Sequence, residues 1–161
     1  MQHFDDVATL QQVLPGRWTV KATNFPMWLS GERREPAFEY VALRTDPLTL
    51  GDEVTYTDPD GKTKSIRGVD RWNGSGFTWK MNGLRGLFVK SRWEVAGVRQ
   101  GLAVLRFEAS MVSPGGVDVI VGEGLDASEL RTFVAADPAS FGLTLEEFAS
   151  LTWLDHLPPL D

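Results

Sequence analysis

The 161-residue chain contains no cysteine and only two histidines. Without a thiol there is neither a disulfide framework nor a cysteine-ligated metal. Histidines confined to His3 and His156 argue against a Ser-His-Asp triad and give no evident histidine metal site, so no metal and no cofactor is expected. No run approaches the roughly 18 apolar residues of a membrane-spanning helix. The first residues, Met1 to Asp6, lack the basic stretch and long apolar core of a secretory signal. These two absences lead to the expectation of a cytoplasmic protein with no membrane span. Positive charge is also in short supply. Sixteen basic residues against 22 acidic ones give a net charge of −6, and the resulting repulsion disfavours a nucleic-acid or anionic-membrane partner. The basic pair Arg33-Arg34 sits between Glu32 and Glu35 and reads as a solvated loop.

What is present is the composition of a folded protein, 42% hydrophobic and 24% charged, of a length that fits one domain over residues 1–161. Phe4, Val7, Leu10 and Leu14 fall on one helical face behind Asp5 and Asp6, and Pro15-Gly16 ends that helix. The period then changes from 3.6 to two. Trp18, Val20, Ala22 and Asn24 share one face of a first strand, followed by a long connection whose front half, Phe25 to Leu29, is apolar. Further strands are predicted at 37–45, 49–57, 62–72, 77–82, 87–96, 102–111 and 117–122. Tight turns are marked at Asp58-Pro59-Asp60-Gly61, Asn73-Gly74-Ser75-Gly76, Asn82-Gly83 and Pro114-Gly115-Gly116. Eight strands joined this way pair antiparallel with their neighbours, and closure removes the exposed edges. Two helical patterns with capping-box spacing follow, Asp126 to Glu129 and Thr144 to Glu147. Leu130, Phe133 and Val134 in the first, and Leu145, Phe148 and Leu151 in the second, are expected to face the barrel wall. The fold class is therefore mainly β, an eight-stranded antiparallel up-and-down barrel with a short N-terminal helix and C-terminal helices packed outside.

Gly16-Arg17-Trp18, placed between a short helix and eight strands, resembles the first signature of the lipocalins and their calycin relatives, and the resemblance covers most of the chain. The segment Gly142-Leu143-Thr144-Leu145 is similar to the one that follows the outer helix in bacterial lipocalins. Two departures stand out. The family's second signature is not recognisable, and no arginine directly follows the eighth strand to cover the signature tryptophan; Arg131, several residues later, is a possible substitute. With no signal and no cysteine, the resemblance is to a divergent intracellular lipocalin. It implies a small hydrophobic molecule bound inside the barrel. Some relatives of this barrel also cyclise or isomerise hydrophobic substrates, which keeps a small barrel enzyme as the alternative.

Trp18 is expected to plug the closed end, because burying an indole accounts for it without any ligand. If the first strand rises from that end, the open mouth is ringed by residues 25–36, 58–61, 83–86 and 113–116. Phe25, Met27 and Trp28 are then a lid candidate. Alternation places Phe38, Tyr40, Tyr56, Phe77, Trp79, Met81, Ser91, Phe107 and Met111 on interior faces, as candidates for contact with an irregular apolar ligand. Trp72 and Trp93 fall lower and are expected to be structural. Arg44 and Asp70 are read as a buried ion pair, and Asn24 joins Tyr40, Tyr56 and Ser91 as a partner for a ligand oxygen. For catalysis, Asp70 with a raised pKa and Tyr40 as a hydrogen-bond donor are the candidates.

Overall fold

A computed structural model describes residues 6–81, 90–110, 114–125 and 128–154. Asp6 starts the first helix, α1 (Val7–Val13), by accepting a hydrogen bond from the Thr9 backbone N–H. Eight strands follow: β1 (Gly16–Thr23), β2 (Arg34–Thr45), β3 (Leu48–Thr57), β4 (Thr63–Trp72), β5 (Phe77–Met81), β6 (Lys90–Arg99), β7 (Leu102–Phe107) and β8 (Gly116–Gly122). Each pairs antiparallel with the next, and β1 pairs with both β2 and β8, which closes the barrel. The fold class read from the sequence is the one observed. Among the described residues no helix is long and apolar enough to cross a membrane.

Turn chemistry sets the register where short hairpins join strands. Asp58 Oδ1 accepts from the Asp60 and Lys62 N–H groups, and Asn73 Oδ1 from those of Ser75 and Gly76. The sequence reading missed the turn at Gln100 and Gly101. Both have positive φ, 52° and 80°, as a two-residue hairpin turn requires. As a result β6 runs three residues beyond its expected end.

Two apolar clusters lie on opposite sides of the barrel wall. The inner one contains Leu10, Leu14, Trp18, Val20, Leu50, Phe77, Trp93, Leu105 and Ile120. Trp18 donates its indole N–H to the Leu14 carbonyl at 2.8 Å, so α1 seals the closed end. Arg131 is exposed on the helix α3 (Leu130–Ala136) and is no substitute for an arginine over Trp18. The outer cluster packs Ala22, Val104, Val119 and Val121 against Leu130, Val134, Phe141 and Leu143. Fully burying a side chain of this size contributes about 1.5–3 kcal/mol.

The last helix, α4 (Leu145–Ser150), has the capping box expected from Thr144 and Glu147, but Leu145 is exposed and only Phe148 and Leu151 pack inward. Arg106 of β7 clamps this region to the wall. Its guanidinium donates to both carboxylate oxygens of Glu147, to Glu94 and to the Gly142 carbonyl, all at 2.7–2.8 Å. A ninth strand, β9 (Thr152–Trp153), pairs with Ala22 and Thr23. Beyond Thr19, therefore, β1 has left β2 and taken β9 as its neighbour on the side away from β8.

Register shifts in three strands change which way side chains point. In β1 the pairing with β8 slips between Val20 and Ala22, so Val20 joins the inner cluster and Ala22 the outer one. Asn24 consequently leaves the interior face expected for it. Its side chain accepts from the Val117 N–H and donates to Ser150, tying the wall to α4. A second shift, between Ala42 and Arg44 of β2, sets Arg44 opposite Thr49, and Arg44 is exposed. The expected Arg44–Asp70 ion pair is not formed. Further shifts lie in β2, between Arg34 and Ala37, and in β6, between Val95 and Gly97.

Candidate functional site

The upper barrel holds a partly open cavity of about 520 Å³, within the size range of small-molecule sites. Its lid is the segment between β1 and β2. Phe25 precedes a one-turn helix, α2 (Pro26–Leu29), in which Pro26 occupies the first helical position. This turn buries Trp28, whose ring lies 6.2 Å from that of Tyr56, and leaves Met27 about one-third exposed at the rim. Phe25 meets Phe107 edge-on at 5.4 Å. Phe25, Met27 and Trp28 all border the cavity.

Phe38, Tyr40, Trp79, Met81, Ser91 and Phe107 line it from the strands, as their alternation places them. Tyr56 and Phe77 stand outside the lining. Tyr56 packs beside Trp28, with the Arg33 guanidinium 5.1 Å above its ring. Phe77 is fully buried one layer below, stacked on Trp93 at 4.6 Å. Met111 lies outside the described residues, as do residues 83–86, Asp126 and both histidines.

Trp93, expected to be purely structural, borders the cavity and forms its floor. Its ring stacks on Tyr40 at 5.8 Å as well as on Phe77, and its N–H donates to Asp70 Oδ1 at 2.8 Å. Asp70 is therefore beneath the floor, at 0% exposure, and does not reach the cavity. Its neighbour Asp52 does. Asp52 accepts from the Trp79 N–H at 3.2 Å and adjoins Asp70 from the next strand.

Two carboxyl groups this close and this dry cannot both be ionised. Burial pushes Asp70 well up, and the hydrogen bond and charge of Asp52 push it further. Burial raises Asp52 as well, while Asp70 and Trp79 pull it back down. The proton is accordingly held by Asp70, the more deeply buried of the two, in its interaction with Asp52. Tyr40 is held neutral above its ordinary range, first by burial and then by the acidic groups around it. Of the two catalytic candidates, the Tyr40 side chain is at the cavity and the Asp70 side chain is not.

The sequence reading did not single out Asp118. It stands in β8 within Val117-Asp118-Val119-Ile120-Val121, a run buried on both faces. With Ile120 in the inner cluster, alternation turns Asp118 inward, where it borders the cavity. Burial raises its pKa to about 7, moderated by the Thr23 hydroxyl and the Trp28 indole.

A closed eight-stranded antiparallel barrel, plugged at one end by a helix and hollow at the other, is the lipocalin or calycin fold. Solved structures bear this out at the level of the fold. Apocrustacyanin A1 of lobster is similar over 94% of this chain and 86% of its own, with a TM-score of 0.60 at 11% identity. The amine binding protein of Rhodnius prolixus, solved as its tryptamine complex, is similar over 96% of this chain and 82% of its own, with a TM-score of 0.60 at 10% identity. The siderocalin Ex-FABP gives a TM-score of 0.57 at 13% identity over 88% and 93% of the two chains. No protein-family model matches the chain, and no curated protein sequence matches it.

Proposed function

We propose that the barrel binds a small, largely apolar molecule of lipid, isoprenoid or polyketide type in its upper cavity. The observation that carries this reading is the partly open cavity of about 520 Å³ with Trp28, Tyr40, Trp79, Trp93 and Phe107 on its walls. A fully packed barrel of this size has its interior filled by side chains. Rings offer large contact area at little cost in side-chain entropy, and Met27 and Met81 at the rim adapt to irregular shapes. The solved structures of the same fold support it in kind, since one holds tryptamine and another is described by dual ligand specificities.

A bound apolar probe is expected to quench tryptophan fluorescence, because three indoles border the space. Ser91→Phe places a ring inside the cavity and should weaken probe binding at least about tenfold while the far-ultraviolet spectrum is kept. Equal affinity in that variant would put the probe elsewhere and reject the reading.

A further inference from the structure

The geometry points to a ligand carrying a protonated amine, seated on Asp118 beneath Trp28 with its apolar body against the aromatic walls, an inference that rests on the ligand-binding reading above. Asp118 is 1% exposed, yet it borders the cavity and its Oδ1 has no hydrogen-bond partner. A buried carboxylate oxygen left bare is costly unless something donates to it. The Trp28 N–H, beside it, is also buried without a well-formed hydrogen bond. The Thr23 hydroxyl and the Trp28 indole favour the ionised carboxylate, but neither carries a positive charge. Apolar contact alone would leave this oxygen unsatisfied. An ammonium supplies both the donor and the counter-charge.

The rest of the lining has the same sign. Asp52 and Glu108 border the cavity as well, whereas the basic lining residue Arg33 lies over the Tyr56 ring. The faces of Trp28, Trp79 and Trp93 attract a cation through their quadrupoles. An anionic head group would instead meet Asp52 and Asp118 together. Asp118 titrates at about 7 with the cavity unliganded, so a neighbouring ammonium has a carboxylate to pair with just above neutral pH.

The test uses the whole protein at pH 8 with N-phenyl-1-naphthylamine, whose nitrogen is not basic, as a fluorescent reporter of cavity occupancy. Decylamine, 1-decanol and decanoic acid share one tail and compete with it. Decylamine is expected to displace the reporter at least about tenfold more tightly than decanol or decanoic acid, with that advantage falling below about threefold in Asp118→Asn. Decylamine performing no better than decanol or decanoic acid, while the reporter still binds, overturns the amine and leaves the ligand-binding reading in place. Failure of the reporter and all three competitors to bind overturns both. An amine preference that persists in a folded Asp118→Asn protein moves the cation off Asp118 and also overturns the inference. Should that variant not fold, the wild-type ranking of the three head groups decides.

Discussion

At Gly68 a missing side chain decides where Trp79 lies. A Cβ built there would collide with the indole nitrogen of Trp79 and come within 2.8 Å of the Lys80 carbonyl. The indole crosses this bare stretch of β4 to reach Asp52. Gly68→Ala should therefore cost about 1–3 kcal/mol in urea unfolding and shift tryptophan emission to the red as Trp79 loses its bed. Unchanged stability and emission would show that the indole lies elsewhere. Much at this scale was legible: a period of two puts Phe38, Tyr40, Trp79 and Phe107 on interior faces, and they line the cavity. Asp52 and Asp118 were readable but not read. Asp52 continues the alternation Leu48, Leu50, Asp52, Val54, and Asp118 interrupts an otherwise apolar run. A charge in either setting is dear enough to merit a reason.

Between elements, the tie that matters most outside the cavity is Arg106. Its guanidinium holds two carboxylates and a carbonyl from three separate segments, and Glu147 sits below the usual carboxylate range chiefly because Arg106 bonds to it. Arg106→Met leaves Glu94 and Glu147 facing each other over an apolar stem. It should destabilise the protein by about 2 kcal/mol, the residual exposure of the cluster reducing the effect expected of a fully buried pair. Hydrogen exchange should locate the loss in α4 and β9, with β3 and β4 unaffected; uniform loss of protection would contradict this anchoring role. Element types and order were legible because periods and turn residues repeat along the chain. The slips in β1 and β2 were not. A single inserted residue reverses the side-chain parity of everything after it on that strand, and nothing local in Val20 to Ala22 or Ala42 to Arg44 announces it. Asn24 and Arg44 were misplaced for this reason. Strand β9 escaped notice because two residues carry no period at all.

For the molecule as a whole, three buried acids in one interior make stability depend on pH with an unusual sign. Asp118 keeps its proton up to about 7 in the folded state, against an ordinary value of 3.8. Between those values the folded chain binds a proton that the unfolded chain has released, so stability falls as pH rises. For Asp118 alone the loss by pH 8 has a ceiling of about 4 kcal/mol, and Asp52 and Asp70 act in the same direction. Glu147 opposes this at the acid end, where its lowered pKa makes protonation destabilising. The urea midpoint of the unliganded protein should be highest near pH 5 and decline toward pH 8, with Asp118→Asn flattening that decline and proving more stable than wild type at pH 8. A wild-type midpoint that climbs from pH 5 to pH 8 would refute the assignment of a raised carboxyl. The pairing of β1 has a different consequence, for how the chain is made. The first strand completes its ladder only with β8 and β9, roughly a hundred residues downstream. During vectorial synthesis its edge stays bare until almost the whole chain has left the ribosome, so the protein is committed to folding late, and any pause before residue 116 leaves a sticky half-barrel waiting for its last staves.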